Sequence, residues 1–539
     1  MPTNAEYDAV IVGAGFAGLY MLHKLRQAGR SAIVLEAGSG VGGTWFWNRY
    51  PGCRCDVESM QYSYSFSDEL QQEWGWSERF AAQPEILRYA EHVADRFDLR
   101  PFIRLDTRVT AARFDEQGRR WTVETERGDR FDAPFCIMAT GCLSAGRTAA
   151  LPGLATFEGE TYHTADWPAG GVELAGKRIG IVGTGSSGIQ AIPELARQAD
   201  QLFVFQRTPN YSVPARNAPL TPDYETSWKE RYPELREEAR HSNSGTLYDY
   251  GPHSALAVSA DERENVYRAR WQVGGPNFLR AFNDLSVDQH ANDTAADFVR
   301  ARIGELVHDP AIAAKLMPHG YPIGTKRICV DNGYFETFNR PNVTLIDLRE
   351  EALETVVPEG IRTCDRTIPL DVIVFATGFD AMTGALTRMT VTGRNGMRLA
   401  DKWVAGPRTY LGLMTAGFPN LFLITGPGSP SVLSNVLVSI EQHVEWIAEC
   451  IEFLGDTEIE ASEPAEAEWV EHVNAAANQT LYPRAASWYM GANIPGKPRV
   501  FMPYISGVGA YRKRCAAVAA SGYEGFVLSA PSGLSARRA

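Results

Sequence analysis

The sequence predicts an α/β fold built from two nucleotide-binding units, and three observations carry that prediction. First, a short apolar run, a Gly-x-Gly-x-x-Gly turn and a helical pattern follow one another twice. They read Tyr7-Asp-Ala-Val-Ile-Val-Gly13-Ala-Gly15-Phe-Ala-Gly18 and Arg178-Ile-Gly-Ile-Val-Gly183-Thr-Gly185-Ser-Ser-Gly188. Second, each unit closes on the same phrase, an apolar strand ending in Ala139-Thr140-Gly141 or Ala376-Thr377-Gly378. Third, a charged residue follows each turn: Glu36 lies 18 residues beyond Gly18, and Arg207 lies 19 residues beyond Gly188. A strand feeding a tight Gly turn brings backbone N–H groups and a helix N-terminus against a pyrophosphate, the Rossmann arrangement. An acidic residue at that distance accepts hydrogen bonds from free ribose hydroxyls, whereas an arginine pairs with a 2′-phosphate. The first unit is therefore assigned to FAD and the second to NADPH/NADP+. The fold class is α/β, with two Rossmann-like dinucleotide-binding domains and a helical insertion in the NADP domain.

A chain of 539 residues exceeds one ordinary core. Residues 1–142 are expected to form the first part of the FAD domain. The alternation in Trp121-Thr-Val-Glu-Thr and a Gly-Asp turn point to a β-meander within residues 104–131. Residues 143–213 are read as the first part of the NADP domain. Residues 214–325 are charged and helix-favouring, as in Tyr232-Pro-Glu-Leu-Arg-Glu-Glu-Ala-Arg, and are read as the insertion. Residues 326–379 complete the NADP domain. Residues 380–539 return to the FAD domain and bring loops for a substrate pocket; a strand is expected in Gly417-Phe-Pro-Asn-Leu-Phe-Leu-Ile-Thr, then a helix around Glu441.

Composition excludes several function classes. A net charge of −13 argues against non-specific nucleic-acid binding and against docking on an anionic membrane. No stretch reaches the 18 or so apolar residues of a spanning helix. The eight cysteines contain no C-x-x-C or C-x-x-x-x-C pair, so neither a redox dithiol nor a metal site is expected. Reduced thiols in a cytoplasmic protein are the consistent reading.

Between the two fingerprints lie two denser motifs. Gly42-Gly43-Thr44-Trp45-Phe46-Trp47-Asn48-Arg49-Tyr50-Pro51-Gly52-Cys53-Arg54-Cys55-Asp56 combines paired glycines with four aromatics, which suits a backbone wrapped around a flat ring and equally an aromatic core cluster. Asp56 is expected to cap a helix beginning Val57-Glu58-Ser59 as well as to serve the site. Further on stands Phe157-Glu-Gly159-Glu-Thr-Tyr-His163-Thr164-Ala-Asp166-Trp167-Pro168. Here the chain resembles the type I Baeyer–Villiger monooxygenases, whose signature F-x-G-x-x-x-H-T-x-x-W followed by Pro or Asp is matched throughout. A second family pattern, Asp371 through Ala376-Thr377-Gly378-Phe379-Asp380, is intact, and the likeness spans residues 5–528. It is nearest to the phenylacetone and steroid monooxygenase branch in Gly406-Pro-Arg-Thr-Tyr-Leu-Gly and in Trp488-Tyr-Met-Gly-Ala-Asn-Ile-Pro-Gly-Lys-Pro-Arg.

The resemblance implies roles. Arg327 is the active-site arginine and Asp56 holds it in place. Gly13, Gly15, Gly18, Glu36, Gly43, Thr44, Trp45, Trp47, Asp56, Tyr62 and Val109 contact FAD. Gly183, Thr184, Gly185, Ser186, Ser187, Gly188, Arg207, Thr208, Lys326, Arg327 and Trp488 contact NADP, with Lys326 beside Arg207 at the 2′-phosphate. Ser431, Val432 and Leu433 line the substrate pocket, although their loop could also be a surface turn and Trp488 a core residue. His163, in a linker far from any acid or nucleophile, is read with Trp167 as a hinge coupling cofactor binding to domain movement. The implied reaction is NADPH- and O2-dependent conversion of ketones to esters or lactones through a flavin C4a-peroxide, with sulfoxidation on the side. A flavin N- or S-monooxygenase is the alternative. The expected partners are a small ketone and O2, and the expected state is a monomer.

Overall fold

The apolar runs around each Gly turn become central strands of two parallel sheets. The computed structural model describes residues 4–147, 151–248 and 250–530. In the first sheet the order is Leu421–Leu423, Phe135–Met138, Ala9–Val12, Ala32–Leu35 and Ile103–Arg104, every pair parallel. In the second it is Val343–Asp347, Gln201–Gln206, Arg178–Val182, Val372–Phe375 and Glu160–His163, again all parallel. All four residues of Ala9–Val12, of Ala32–Leu35, of Phe135–Met138 and of Val372–Phe375 are buried. Strands covered on both faces need unbroken apolar runs rather than alternation, and these sequences supply them.

The helix Phe16–Gln27 follows the first turn and buries Phe16, Leu19, Tyr20, Leu22 and Leu25. Lys24 and Arg26 sit in its last turn, where the carbonyl end favours cations. Its counterpart, Ser186–Gln198, buries Ile189, Ile192 and Leu195. An antiparallel meander, Val109–Asp115, Arg120–Thr125 and Arg130–Ala133, lies beside the first sheet; its alternating burial marks one face turned to the core.

Among the described residues of 214–325 there are four α-helices, Pro222–His241, Ala260–Val273, Gln289–Leu306 and Pro310–Leu316. The first three begin at Thr221, Ser259 and Asp288, whose side chains accept from backbone N–H groups in the first turn. Two flanking strands, Ser212–Pro214 and Cys329–Asp331, pair in parallel and clamp the base of this helical region. After residue 380 the chain pairs again with first-unit strands: Thr390–Thr392 joins Val109–Asp115, and Leu421–Leu423 joins Phe135–Met138. The long helix Val436–Leu454 then packs against Phe16–Gln27. Among the described residues no helix is long and apolar enough to cross a membrane.

Candidate active site

The two Gly turns are built alike. Gly13 and Gly183 sit at φ +105° and +111°, and a Cβ there would lie 2.7 Å from the Ala139 carbonyl oxygen and 2.6 Å from that of Ala376. A Cβ on Gly18 or Gly188 would approach the carbonyl oxygen of Gly13 or Gly183 to 1.9 or 2.2 Å. The repeated Ala-Thr-Gly phrase is thus the wall against which each turn folds. Gly15 and Gly185 begin their helices with no side-chain cap, so the first N–H groups point outward as anion donors. A Cβ on Gly185 would meet nothing within 4 Å, and Gly15 faces only the backbone of Gly43, at 3.4 Å. Both cradles fit a pyrophosphate.

The discriminating side chains follow. Glu36 is buried, and its two carboxylate oxygens accept from Ala14 N and Gly38 N, each at 2.7 Å. This fixes the carboxylate beside the turn and leaves lone pairs for ribose hydroxyls. Thr107 N donates to the Glu36 carbonyl oxygen at 2.7 Å, which brings Val109, at the start of its strand, near the same edge. In the second unit Arg207 is exposed, and Thr184 Oγ1 donates to Thr208 O at 3.1 Å, drawing Arg207–Thr208 against the turn. Lys326 lies over the Tyr321 ring, 4.3 Å from its centre. Burial and the nearby Arg207 charge lower its pKa. Neither cation has a carboxylate partner among the described residues.

One residue further, Arg327 makes a forked pair with Asp56: Nε donates to Oδ2 and Nη2 to Oδ1, both at 2.7 Å. Its Nη1 donates to the carbonyl oxygen of Val432 at 2.8 Å. Three of its N–H groups are thereby engaged and the plane of the guanidinium is set. The side chains remain 32% and 24% exposed, so the outer edge of the guanidinium stays accessible. Burial opposes charge on both partners, but their mutual attraction wins: the Asp56 carboxyl is held below its usual range and Arg327 is raised further. Asp56 caps no helix. Residues 57–62 form turns in which Gln61 N and Tyr62 N donate to Glu58 O, and the carboxylate that would have capped them is committed to Arg327.

Thr44, Trp45 and Trp47 lie on a one-turn helix, Thr44–Trp47, that starts at Gly43. Trp45 Nε1 donates to the Tyr62 hydroxyl at 3.2 Å, so these two aromatics form one wall. Ser186 Oγ contacts Cys329 Sγ at 3.4 Å. The pocket loop is a 3-10 turn, Ser431–Leu433, with Ser431 strained at φ +31°. Val432 and Trp488 pack together on a small cluster of Ala381, Met382 and Met502. The segment carrying Trp488 is pinned where Lys497 Nζ donates to Asp380 Oδ1 at 2.7 Å and Asn493 donates to Phe379 O.

His163 uses both ring nitrogens. Nδ1 accepts from Ala165 N at 3.0 Å, and Nε2 faces Arg147 O at 2.9 Å and Thr377 Oγ1 at 3.3 Å. Burial lowers its pKa. A neutral imidazole with an Nε2 proton satisfies this arrangement and leaves no free nitrogen for proton abstraction. Trp167 is buried against Tyr162, ring centres 5.4 Å apart.

Sequence reading missed the contacts that join the two units. Gln190, on the helix Ser186–Gln198, accepts from Tyr50 OH at 2.8 Å and donates to Arg54 O at 3.1 Å. Gly52 sits so close that a Cβ would lie 2.3 Å from Gln190 O, which gives the Pro51-Gly52 turn a steric reason. The Val432 carbonyl that anchors Arg327 was also missed. A backbone acceptor leaves no residue-type signal to find.

Two dinucleotide cradles, one ending in a carboxylate and one in paired cations, meeting at a fixed guanidinium, define a flavin- and NADP-dependent oxidoreductase. Residues 10–244 match the family described as pyridine nucleotide-disulphide oxidoreductase. All eight cysteines are free, and Cys53 and Cys55 are buried thiols pushed up in pKa by burial, to about 12 for Cys53, so that match reflects the shared two-nucleotide fold. The structure of an oxidised steroid monooxygenase bound to NADP is 52% identical and superposes with a TM-score of 0.94, covering 98% of this chain and 100% of that one. Acetone monooxygenase (methyl acetate-forming) of Gordonia sp. strain TY-5 is 41% identical over 98% of this chain and 100% of its own length. Phenazine N-monooxygenase of Lysobacter antibioticus is 40% identical over 98% and 99%. The chain belongs to the type I Baeyer–Villiger monooxygenases, flavin enzymes that use NADPH and O2.

Proposed function

We propose that this enzyme converts small ketones to esters or lactones, with Arg327 as the residue that acts on the reacting carbonyl. The observation carrying this is the forked Asp56–Arg327 pair, anchored a third time on Val432 of the pocket loop. FAD, when bound, supplies electron transfer from NADPH and the activation of O2. The residues of the chain do the rest. The helix N-termini at Gly15 and Gly185 take the pyrophosphates, Glu36 takes the FAD ribose, and Arg207 with Lys326 takes the NADP 2′-phosphate. Arg327 cannot deprotonate, so its outer N–H groups offer a permanent positive charge to the oxygen anion that develops when the carbonyl is attacked. Asp56 fixes the direction of that charge. Val432, Met382 and Trp488 form an apolar surround that keeps water from the reacting atoms. His163 acts as a strut between the linker and Thr377, not as a base. The enzyme is read as a cytoplasmic monomer that also oxidises sulfides.

The test is Arg327→Ala, which should still be reduced by NADPH yet form no ester. Normal ester yield from that variant would remove Arg327 from the reaction. A second reading, oxygenation of a soft nitrogen or sulfur, is favoured by the phenazine N-monooxygenase relative. Trp167-Pro168 and the fixed Arg327 argue for the ketone. Parallel product analysis with a ketone and a thioether decides between them.

A further inference from the structure

Arg207 and Lys326 reach the second cradle from opposite ends of the helical insertion, and Tyr321 touches both segments. Its hydroxyl donates to Pro209 O at 3.0 Å and lies 3.0 Å from Asn210 Oδ1, a second acceptor. Those residues directly follow Arg207–Thr208, which Thr184 Oγ1 draws against the Gly183 turn. The face of the same ring carries Lys326, whose Nζ lies 4.3 Å from its centre. A tight reversal makes this contact. Gly324 sits at φ +86°, and Thr325 Oγ1 donates to Pro322 O at 2.6 Å. The buried Asn292 side chain accepts from Ile323 N at 2.9 Å and donates to Ile323 O at 2.8 Å. The Tyr321 ring is braced T-shaped against Tyr211, centres 5.4 Å apart. The Tyr211 hydroxyl is fixed in turn by Arg300 Nη1 at 2.7 Å and Pro318 O at 3.1 Å.

Burial and the Arg207 charge both work against an ammonium at this place. A carboxylate could hold Lys326 there, but it would occupy the donors that a phosphate needs. An aromatic face holds it differently. The ring quadrupole attracts a cation within about 6 Å of its centre without accepting a conventional hydrogen bond. The contact therefore leaves the three N–H donors of Lys326 to an incoming anion. Because the hydroxyl of that ring is tied to the residues after Arg207, one side chain sets the spacing of the two cations.

We propose that Tyr321 is a positioning residue for coenzyme choice: it holds Lys326 as an open cation at a set separation from Arg207, and the preference for NADPH over NADH depends on it. The assignment rests on the reading of Arg207 and Lys326 as the pair that takes the NADP 2′-phosphate. Tyr321 acts through those two cations, so its effect falls on binding of the phosphorylated ribose and not on the flavin reaction.

Tyr321→Leu in the FAD-loaded enzyme removes both ring and hydroxyl. KM for NADPH should rise about tenfold, while kcat and the kinetics with NADH change about twofold or less. Tyr321→Phe keeps the ring under Lys326 and should retain most of the preference. Calorimetric titration gives the comparison without turnover. Adenosine 2′,5′-bisphosphate should bind about tenfold more weakly to Tyr321→Leu, and adenosine 5′-monophosphate equally to both enzymes. A double-mutant cycle separates positioning from folding: in a Lys326→Ala background, Tyr321→Leu should add about twofold or less to the loss. Flavin content and melting temperature check the fold, and Tyr321→Met repeats the measurement if Tyr321→Leu loses flavin. If Tyr321→Leu weakens NADPH and NADH alike, or its loss adds fully to that of Lys326→Ala, Tyr321 is only structural and the proposal is wrong. If Lys326→Ala lowers the preference but Tyr321→Leu does not, the 2′-phosphate reading stands and the role of Tyr321 falls. If neither Lys326→Ala nor Arg207→Ala alters the preference, the 2′-phosphate reading itself fails, and the proposal with it.

Discussion

Replacing Asp56 by alanine should separate the two halves of the reaction. The substitution removes both acceptors of the fork and leaves Arg327 charged, with Val432 O as its remaining hydrogen-bond acceptor among the described residues. Truncating one member of a fully buried pair costs about 3–5 kcal/mol. Here the side chains are 24% and 32% exposed, so water recovers part of that, and a loss of about 2 kcal/mol in stability is expected. The larger effect is on direction. Losing or misaiming one preorganised donor at a developing oxyanion costs about 10²–10³ in rate. Stopped-flow reduction by NADPH, ester yield and hydrogen peroxide release would be measured on one preparation. Reduction should persist, ester formation should fall about hundredfold, and the consumed NADPH should appear as peroxide. Unchanged ester formation would refute the claim that Asp56 aims Arg327. Equal loss of reduction and oxygenation would show instead that Asp56 supports the flavin site as a whole. The pair is not a pH switch near neutrality. The folded carboxyl titrates below its ordinary value of 3.8, so its stabilisation is complete above about that pH and is lost only as pH falls through the lower native value.

Other outcomes follow from the same geometry. Arg207→Ala and Lys326→Ala should each lower kcat/KM for NADPH by about ten- to hundredfold through KM, with NADH affected about twofold or less; an unchanged preference for NADPH would mean the second unit has been misread. His443 is fully buried, accepts from Thr425 N at 3.0 Å through Nδ1, and is held neutral by burial to about pH 3, against an ordinary value of 6.5. The unfolded chain therefore takes up this proton first, and stability should decline as pH falls from 6.5 toward 3, by about 1.4 kcal/mol per pH unit from this residue. His443→Gln should flatten that slope in melting curves taken across the same range.

How far the site can be read from sequence depends on how local its causes are. The strands and turns at Gly13 and Gly183 are local: apolar runs, glycines and the helices after them lie within a few residues. Glu36 and Arg207 are legible because a strand and helix of standard length place them beside the turn. The twin Ala-Thr-Gly phrases were visible as a repeat, but their cause, carbonyl oxygens pressed against the Gly turns, appears only when the strands pair. Asp56 shows the opposite failure. A local rule offered it a helix to cap, and a partner 271 residues away took the carboxylate instead. Gln190 gave no hint at all, and Val432 was legible only as a pocket residue and not as the anchor of Arg327, since both contacts need remote segments docked.

By itself the sequence determined that two dinucleotide cradles exist in this chain, because a Gly turn between an apolar strand and a helix depends on short-range backbone geometry. Tertiary structure decided what lies between them. The facing of Asp56 on Arg327, the third anchor from Val432 and the Gln190 contact all join segments remote in sequence. Such contacts are set by how sheets, insertion and returning C-terminal chain pack, and no spacing rule along a chain encodes that packing.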